Sequence, residues 1–168
     1  MKSQIYIFVW DKKSVSKKAY EFVIKKAKET LVLSAEPQLS KGENGKPFLK
    51  DYPDFHFNIS HSEDLIAVAF SDAPVGVDIE KKRSVNLKIA DRFFTSDEQK
   101  SVTDTDSFFY VWTRKEAILK QKGESLGNIK KYSVINNKNI KTFTADGFVL
   151  SVCSEKVNDF QLIQEENF

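Results

Sequence analysis

The hydrophobic positions at the start of the chain follow two spacings, first that of a strand and then that of a helix. Residues 4–10 alternate and are rich in β-forming side chains, which predicts a first strand. A helix is predicted from Ser14 or Ser16 to about residue 33, because apolar side chains recur at helical spacing there. Residues 34–47 hold two prolines and two glycines, which predicts a loop.

Three further strands are predicted between residues 55 and 80. Residues 55–60 alternate, with Phe57 and Ile59 on one face and Asn58 and Ser60 on the other. Residues 65–70 are apolar throughout, which is typical of a strand buried on both faces. Residues 75–80 alternate again, so the middle of the chain is predicted to form a sheet.

The pattern then changes to helical and later returns to strands. Helices are predicted over residues 87–94 and 107–122, with a second, short helix opened between them by a capping box at residues 95–98. Gly123 is predicted to end the longest of the three. Strands are predicted over residues 132–135, 141–144, 148–153 and 160–164, with Asp146-Gly147 as a hairpin turn. This order of elements predicts an α+β fold.

Composition limits the classes of partner and the compartment. The 26 Lys and Arg against 24 Asp and Glu give a formal charge of +2, too small to indicate nucleic acid as a partner. A single cysteine, Cys153, cannot form an internal disulfide. No signal peptide or membrane-spanning stretch is recognisable, so a cytoplasmic protein without membrane association is expected.

Two carboxylates in the run Gly-Val-Asp-Ile-Glu are the first candidate site. In a strand, Gly76, Asp78 and Glu80 share one face, and the two carboxylates lie roughly 7 Å apart at Cα. Such oxygen ligands suit a hard cation such as Mg²⁺. The alternative is an edge strand with a solvated outer face, and for this pair alone that alternative is the stronger interpretation.

The longer helix carries a stripe of chemically useful side chains. Trp112, Glu116 and Lys120 are spaced four residues apart and therefore lie on one face. Glu116 and Lys120 could form only a surface ion pair, worth a few tenths of a kcal/mol. They would equally suit a site that needs a metal ligand beside an anion-binding cation, and spacing alone does not decide between the two.

Three residues in the first half are weaker candidates for phosphate binding. His61 follows Ser60 at the end of a predicted strand, and a lone histidine in such a position is most often structural. With few histidines and no cysteine nearby, a zinc site is not expected. Lys46 lies in a Gly-Lys-Pro turn that lacks the glycine spacing of a Walker loop.

Five blocks taken in order resemble the Sfp-type 4′-phosphopantetheinyl transferases. The blocks are Gly45-Lys-Pro-Phe-Leu, Phe57-Asn-Ile-Ser-His-Ser, Gly76-Val-Asp-Ile-Glu, Arg92-Phe-Phe-Thr and Trp112-Thr-Arg-Lys-Glu-Ala-Ile-Leu-Lys. The resemblance implies two similar small α+β halves packed as a pseudo-dimer, here residues 1–74, a shortened N-terminal half, and residues 75–168. It also implies a monomer, because one chain would supply both sides of the cleft.

The resemblance further implies a Mg²⁺-dependent enzyme, with Mn²⁺ as a possible substitute. Such an enzyme moves the 4′-phosphopantetheine arm of coenzyme A onto a serine of an acyl or peptidyl carrier protein and releases 3′,5′-ADP. An alternative is a non-catalytic module of the same fold that binds coenzyme A or a carrier protein. Loss of motif residues would favour that alternative, and the five blocks show none.

Residue roles are carried over from the same motifs. Asp78, Glu80 and Glu116 would hold the metal ion, and Glu116 is also a candidate for deprotonating the carrier serine. Lys120 would bind the pyrophosphate and stabilise the leaving group, so Glu116, Lys120 and Asp78 form the expected catalytic set. The positions expected to contact coenzyme A are Lys46, Ser60, His61, Lys115 and Lys120.

Overall fold

Nine strands form two main sheets and one small hairpin in the computed structural model, which describes residues 3–9, 14–145 and 147–164. The strands are β1 (Gln4–Val9), β2 (Leu39–Lys41), β3 (Pro47–Leu49), β4 (His56–Ser62), β5 (Leu65–Ser71), β6 (Gly76–Lys81), β7 (Ile140–Ala145), β8 (Phe148–Cys153) and β9 (Gln161–Gln164). The first sheet has the order β4-β5-β1-β9, the second has the order β6-β8-β7, and β2 pairs with β3.

Four α-helices accompany these strands among the described residues. They are α1 (Val15–Leu31), α2 (Ile89–Phe93), α3 (Ser96–Ser101) and α4 (Thr105–Lys122), with short 3-10 segments at Leu126–Lys131 and Val157–Asp159. Thr95 and Glu98 form the predicted capping box at the start of α3. Gly123 ends α4 with a φ of 68°, a left-handed conformation that glycine adopts without steric cost. None of these helices is long and apolar enough to cross a bilayer.

The two sheets lie face to face between the two long helices. One apolar cluster joins α1 to the first sheet, a second lies between the sheets, and a third lies under α4. Alternation along the strands divides the side chains among these clusters. In β1, for example, Tyr6 and Phe8 face α1 while Ile5 and Ile7 face the second sheet. The α+β prediction is confirmed.

An unusual seam joins β4, at the edge of the first sheet, to β6, at the edge of the second. Backbone N–H groups of β6 donate to side-chain oxygens of β4 at 2.8–3.2 Å, in place of a backbone ladder. The pairs are Val77 N–H to Asn58, Ile79 N–H to Ser60 and Lys81 N–H to Ser62. The period of two in both strands keeps the three bonds in register.

One predicted strand is wrong and one hairpin was not predicted. Residues 132–135 form no strand, because buried side chains form hydrogen bonds with the backbone N–H and C=O groups that a strand would use. Lys115 donates to Tyr132 O, Arg114 donates to Val134 O, and Val134 N–H donates to Glu98. The predicted loop over residues 34–47 contains β2 and the start of β3.

One strand departs from the predicted division of the chain at residue 74. β9, near the end of the chain, pairs in parallel with β1 and so belongs to the first sheet. The division into residues 1–74 and 75–168 otherwise follows the two sheets and stays a prediction. Trp10 and Asp146, which were placed in a strand and a turn, lie outside the described residues.

Candidate active site

Asp78 is buried in the layer between β6 and α4, not solvated on a strand face. Its side chain accepts hydrogen bonds at Oδ1 from Ser60 Oγ at 2.9 Å and from Lys120 Nζ at 2.6 Å. The other oxygen, Oδ2, is buried and has no hydrogen-bond partner among the described residues. Burial raises the pKa of Asp78 despite the opposing effect of Lys120. A buried carboxylate oxygen without a partner is unusual in proteins, and it can accept a hydrogen bond or bind a cation.

Glu80 lies two residues further along β6, at the partly exposed end of the same face. Its Oε2 accepts from Ser62 Oγ at 2.8 Å and from Arg83 Nη1 at 2.9 Å. Asp78 and Glu80 are close enough that the charge of Glu80 contributes to raising the pKa of Asp78. The sequence-based prediction that the two carboxylates share a face is therefore confirmed.

Glu116 projects from α4 toward these two carboxylates. Burial raises its pKa to about 7, with further contributions from the negative charges of Asp78 and Glu80 and an opposing one from Lys120. A carboxyl group of this pKa is half ionised near neutral pH and can take up a proton there. The structure thus brings together Asp78, Glu80, Glu116 and Lys120, as the sequence predicted.

Gly76 explains why α4 comes so close to β6. A Cβ atom at this position would lie 2.1 Å from Ala117 O and 2.2 Å from Gln121 N, both backbone atoms of α4. Only glycine permits this approach. The contact falls beside the turn of α4 that carries Glu116 and Lys120, so it sets the distance between these side chains and Asp78.

The donor set suits a hard divalent cation, although the side chains as placed form no closed cage. Within the described ranges, no three or more His, Cys, Asp or Glu side chains are arranged to hold a metal ion. Lys120 Nζ instead compensates the charge of Asp78. The free Asp78 Oδ2 and the neighbouring carboxylates Glu80 and Glu116 still provide the oxygen ligands that Mg²⁺ prefers.

Lys46 lies beside the C-terminal turn of α4, just beyond Glu116 and Lys120. Its ammonium group donates to Gln121 O at 2.8 Å and to Val75 O at 3.1 Å, and burial lowers its pKa to about 8. The neighbouring Asn44 donates to Gly123 O at 2.8 Å, so the β2–β3 hairpin holds the C-terminal turn of α4. A pocket of about 340 Å³ opens beside Lys46, with Phe48 and His56 in its lining.

Three other predicted contact residues have different surroundings. Ser60 is buried at the seam and bonds Asp78, Lys120 and the β6 backbone. The side chain of His61 is exposed on β4. Lys115 is fully buried on the opposite side of α4, where it donates to Glu98 Oε2 and Tyr132 O, both at 2.7 Å.

The location of Lys115 is at odds with a phosphate-binding role, because its ammonium group points into the C-terminal core. Burial alone would raise the pKa of Glu98, but hydrogen bonds from Lys115, Thr95 and Val134 outweigh it and hold that pKa below its usual value. Lys115 and Glu98 thus form a structural ion pair. The structure does not bring Lys115 into the site.

Sequence reasoning missed three contributors to the site, namely Gly76 as a close contact and Ser62 and Arg83 as partners of Glu80. The signal for Ser62 was present in the pattern. Asn58, Ser60 and Ser62 occupy alternate positions of β4, as do Val77, Ile79 and Lys81 in β6. Polar side chains at every second position can accept hydrogen bonds from the free backbone N–H groups of an edge strand that lies opposite them.

Comparison with known proteins gives consistent matches. Residues 74–162 match the model of the 4′-phosphopantetheinyl transferase superfamily. The chain is 35% identical to 4′-phosphopantetheinyl transferase Sfp of Bacillus subtilis over 153 residues, covering 73% of this chain and 68% of Sfp. It is 43% identical over 89 residues to the transferase psf-1 of Bacillus pumilus, covering 49% of this chain and 38% of psf-1. It is 38% identical over 106 residues to the transferase AcpT of Salmonella typhi, covering 58% of this chain and 55% of AcpT.

Proposed function

The chain belongs to the 4′-phosphopantetheinyl transferase superfamily and is a transferase of the Sfp type, and we propose that Mg²⁺, coenzyme A and the residues around Asp78 carry out its reaction. The phosphopantetheine arm would come from coenzyme A and pass to a serine of an acyl or peptidyl carrier protein. The serine oxygen forms a bond to the phosphorus attached to the arm. The bond from that phosphorus to the departing phosphate breaks, releasing 3′,5′-ADP.

The observation that supports the metal site most strongly is the buried, unpartnered Oδ2 of Asp78. Asp78, Glu80 and Glu116 would hold Mg²⁺, with Mn²⁺ as a possible substitute. When bound, the ion would neutralise charge on the pyrophosphate during transfer.

Glu116 and Lys120 would act on opposite ends of the reacting phosphate. Glu116 would accept the proton of the carrier serine, directly or through water. Lys120 would bind the pyrophosphate and stabilise the negative charge on the departing 3′,5′-ADP. Its bond to Asp78 Oδ1 supports this role, because it would keep the ammonium group beside the transferred phosphate.

The nucleotide end of coenzyme A would extend along the seam toward Lys46. Lys46 lines the nearby pocket and carries a third N–H besides the two that bond backbone carbonyls. The exposed imidazole of His61 is available to a phosphate, whereas Ser60 would act mainly through Asp78 and Lys120.

Both sides of the site come from one chain, which supports action as a monomer. The free, buried thiol of Cys153 agrees with a reducing compartment, so the cytoplasm is the proposed location.

A mass measurement tests the proposal directly. The protein would be incubated with coenzyme A, Mg²⁺ and a panel of apo carrier proteins, and at least one carrier should gain the mass of the phosphopantetheine arm. Asp78→Ala and a sample with excess EDTA should show no gain. If no carrier is modified by a folded sample, the proposed reaction is wrong. Coenzyme A binding that is indifferent both to Mg²⁺ and to Asp78→Ala would instead indicate a binding module.

A further inference from the structure

Ser60 and Ser62 make the same pair of hydrogen bonds at successive steps of the seam. Ser60 Oγ donates to Asp78 Oδ1 at 2.9 Å and accepts from Ile79 N–H at 3.2 Å. Ser62 Oγ donates to Glu80 Oε2 at 2.8 Å and accepts from Lys81 N–H at 3.1 Å. Each hydroxyl therefore bridges a carboxylate and the backbone N–H of the residue that follows it.

These two hydrogen bonds fix the orientation of each hydroxyl group. Ser62 Oγ accepts from a backbone N–H, and its single hydrogen is donated to Glu80. Ser62 is buried, with 8% of its surface exposed, and lies within β4, so its oxygen has a fixed position. The second partner of Glu80 Oε2, Arg83, has a side chain that is 53% exposed, which makes it a weaker constraint.

On each carboxylate one oxygen takes both hydrogen bonds, although Asp78 is buried and Glu80 is partly exposed. On Asp78, Oδ1 takes two donors and Oδ2 takes none. On Glu80, Oε2 takes two donors, and the hydrogen bonds within the described part of the chain do not involve Oε1. Each side chain thus offers one free oxygen, and the hydrogen bonds determine which one.

We propose that Ser62 is a positioning residue that orients Glu80 so that Oε1 faces a divalent cation. The inference rests on the proposed metal-dependent function and extends it to a residue that does not touch the ion. Groups that hydrogen-bond a ligating carboxylate fix its orientation, and their loss commonly weakens metal affinity by about 10- to 100-fold. Ser62 does for Glu80 what Ser60 and Lys120 do for Asp78.

The test is a metal titration in which no turnover occurs. Mn²⁺ binding would be followed by electron paramagnetic resonance with saturating coenzyme A and no carrier protein, on wild type, Ser62→Ala and Ser62→Thr. Ser62→Ala should bind Mn²⁺ about 10-fold or more weakly, and Ser62→Thr, which keeps the hydroxyl, should stay near wild type. Circular dichroism and thermal unfolding would establish that each variant is folded.

The possible outcomes distinguish a failure of the positioning role of Ser62 from a failure of the proposed metal-dependent function. Wild-type affinity for Mn²⁺ in folded Ser62→Ala overturns the positioning role and leaves the proposed function intact. A wild-type protein that binds neither Mn²⁺ nor Mg²⁺ would instead defeat the metal-dependent function. Should Ser62→Ala not fold, Ser62→Val and Ser62→Thr form a matched pair of similar shape that differs in the hydroxyl, and equal affinities would again overturn the role.

Discussion

Replacing Gly76 by alanine should disable the site without touching a side chain that does chemistry. The added Cβ would lie 2.1 Å from Ala117 O, whereas ordinary contacts begin near 3.4 Å. The backbones of β6 and α4 must therefore separate by about 1.3 Å locally, since neither contacting atom belongs to a flexible side chain. Forcing extra volume into a packed core typically costs about 1–3 kcal/mol.

The same separation moves Glu116 and Lys120 away from Asp78. A misplacement of about 1 Å can reduce the rate by roughly 100-fold, so we expect a fall in kcat of that order. The KM for coenzyme A should rise as well, because Lys46 bonds Val75 O and Gln121 O on the two sides of the same contact. Loss of the 2.6 Å contact between Lys120 and Asp78 is the structural event behind the prediction.

The assay is transfer of a labelled arm from coenzyme A to an apo carrier protein, combined with thermal unfolding. Gly127→Ala is the matched control, because a Cβ there would meet only Ser125 Oγ at 3.8 Å, and it should keep wild-type rate and stability. A folded Gly76→Ala protein with the wild-type kcat would refute the argument that this contact sets the geometry of the site.

Three further predictions concern the charged groups. In metal-free buffer the raised pKa of Glu116, about 7 against a usual 4.5, means that its ionisation lowers the free energy of unfolding as pH rises between these values. By urea unfolding, the free energy of unfolding of Glu116→Gln should fall less than that of the wild type over this pH range. Identical pH profiles for the two proteins would contradict the raised pKa of Glu116. Lys115→Met should lower the free energy of unfolding by about 3–5 kcal/mol, because the buried carboxylate of Glu98 loses its counter-ion. The folded protein should keep its affinity for coenzyme A by calorimetry, and weaker binding would indicate that Lys115 does contact coenzyme A. Lys120→Ala should lower kcat by about 100-fold with a smaller change in the KM for the carrier, and a change confined to that KM would argue against its role at the leaving group.

Much of the site could be predicted because strand and helix periods determine which side chains share a face. Asp78 and Glu80 were correctly placed together, and so were Glu116 and Lys120. Periodicity does not reveal what covers a face, however. The pair on β6 alone suggested a solvated strand, whereas Asp78 is 4% exposed because α4 packs against Gly76.

Lys115 illustrates a different limit. It adjoins Glu116 in the motif, but successive residues on an α-helix point about 100° apart, so the two side chains face different surroundings. Its partner Glu98 lies 17 residues away, and only the packing of α3 on α4 reveals the pair. The strand predicted over residues 132–135 was wrong for the same reason, since Lys115, Arg114 and Glu98 take its backbone groups.

The seam between β4 and β6 also affects how the protein behaves toward other copies of itself. An edge strand with free N–H groups is a template on which a strand from another molecule can pair and start aggregation. The outward N–H groups of β6 are instead occupied by Asn58, Ser60 and Ser62. Ser60 and Ser62, which bond the carboxylates, thus also help Asn58 to close a sheet edge, so resistance to aggregation and the proposed metal site share these two serines.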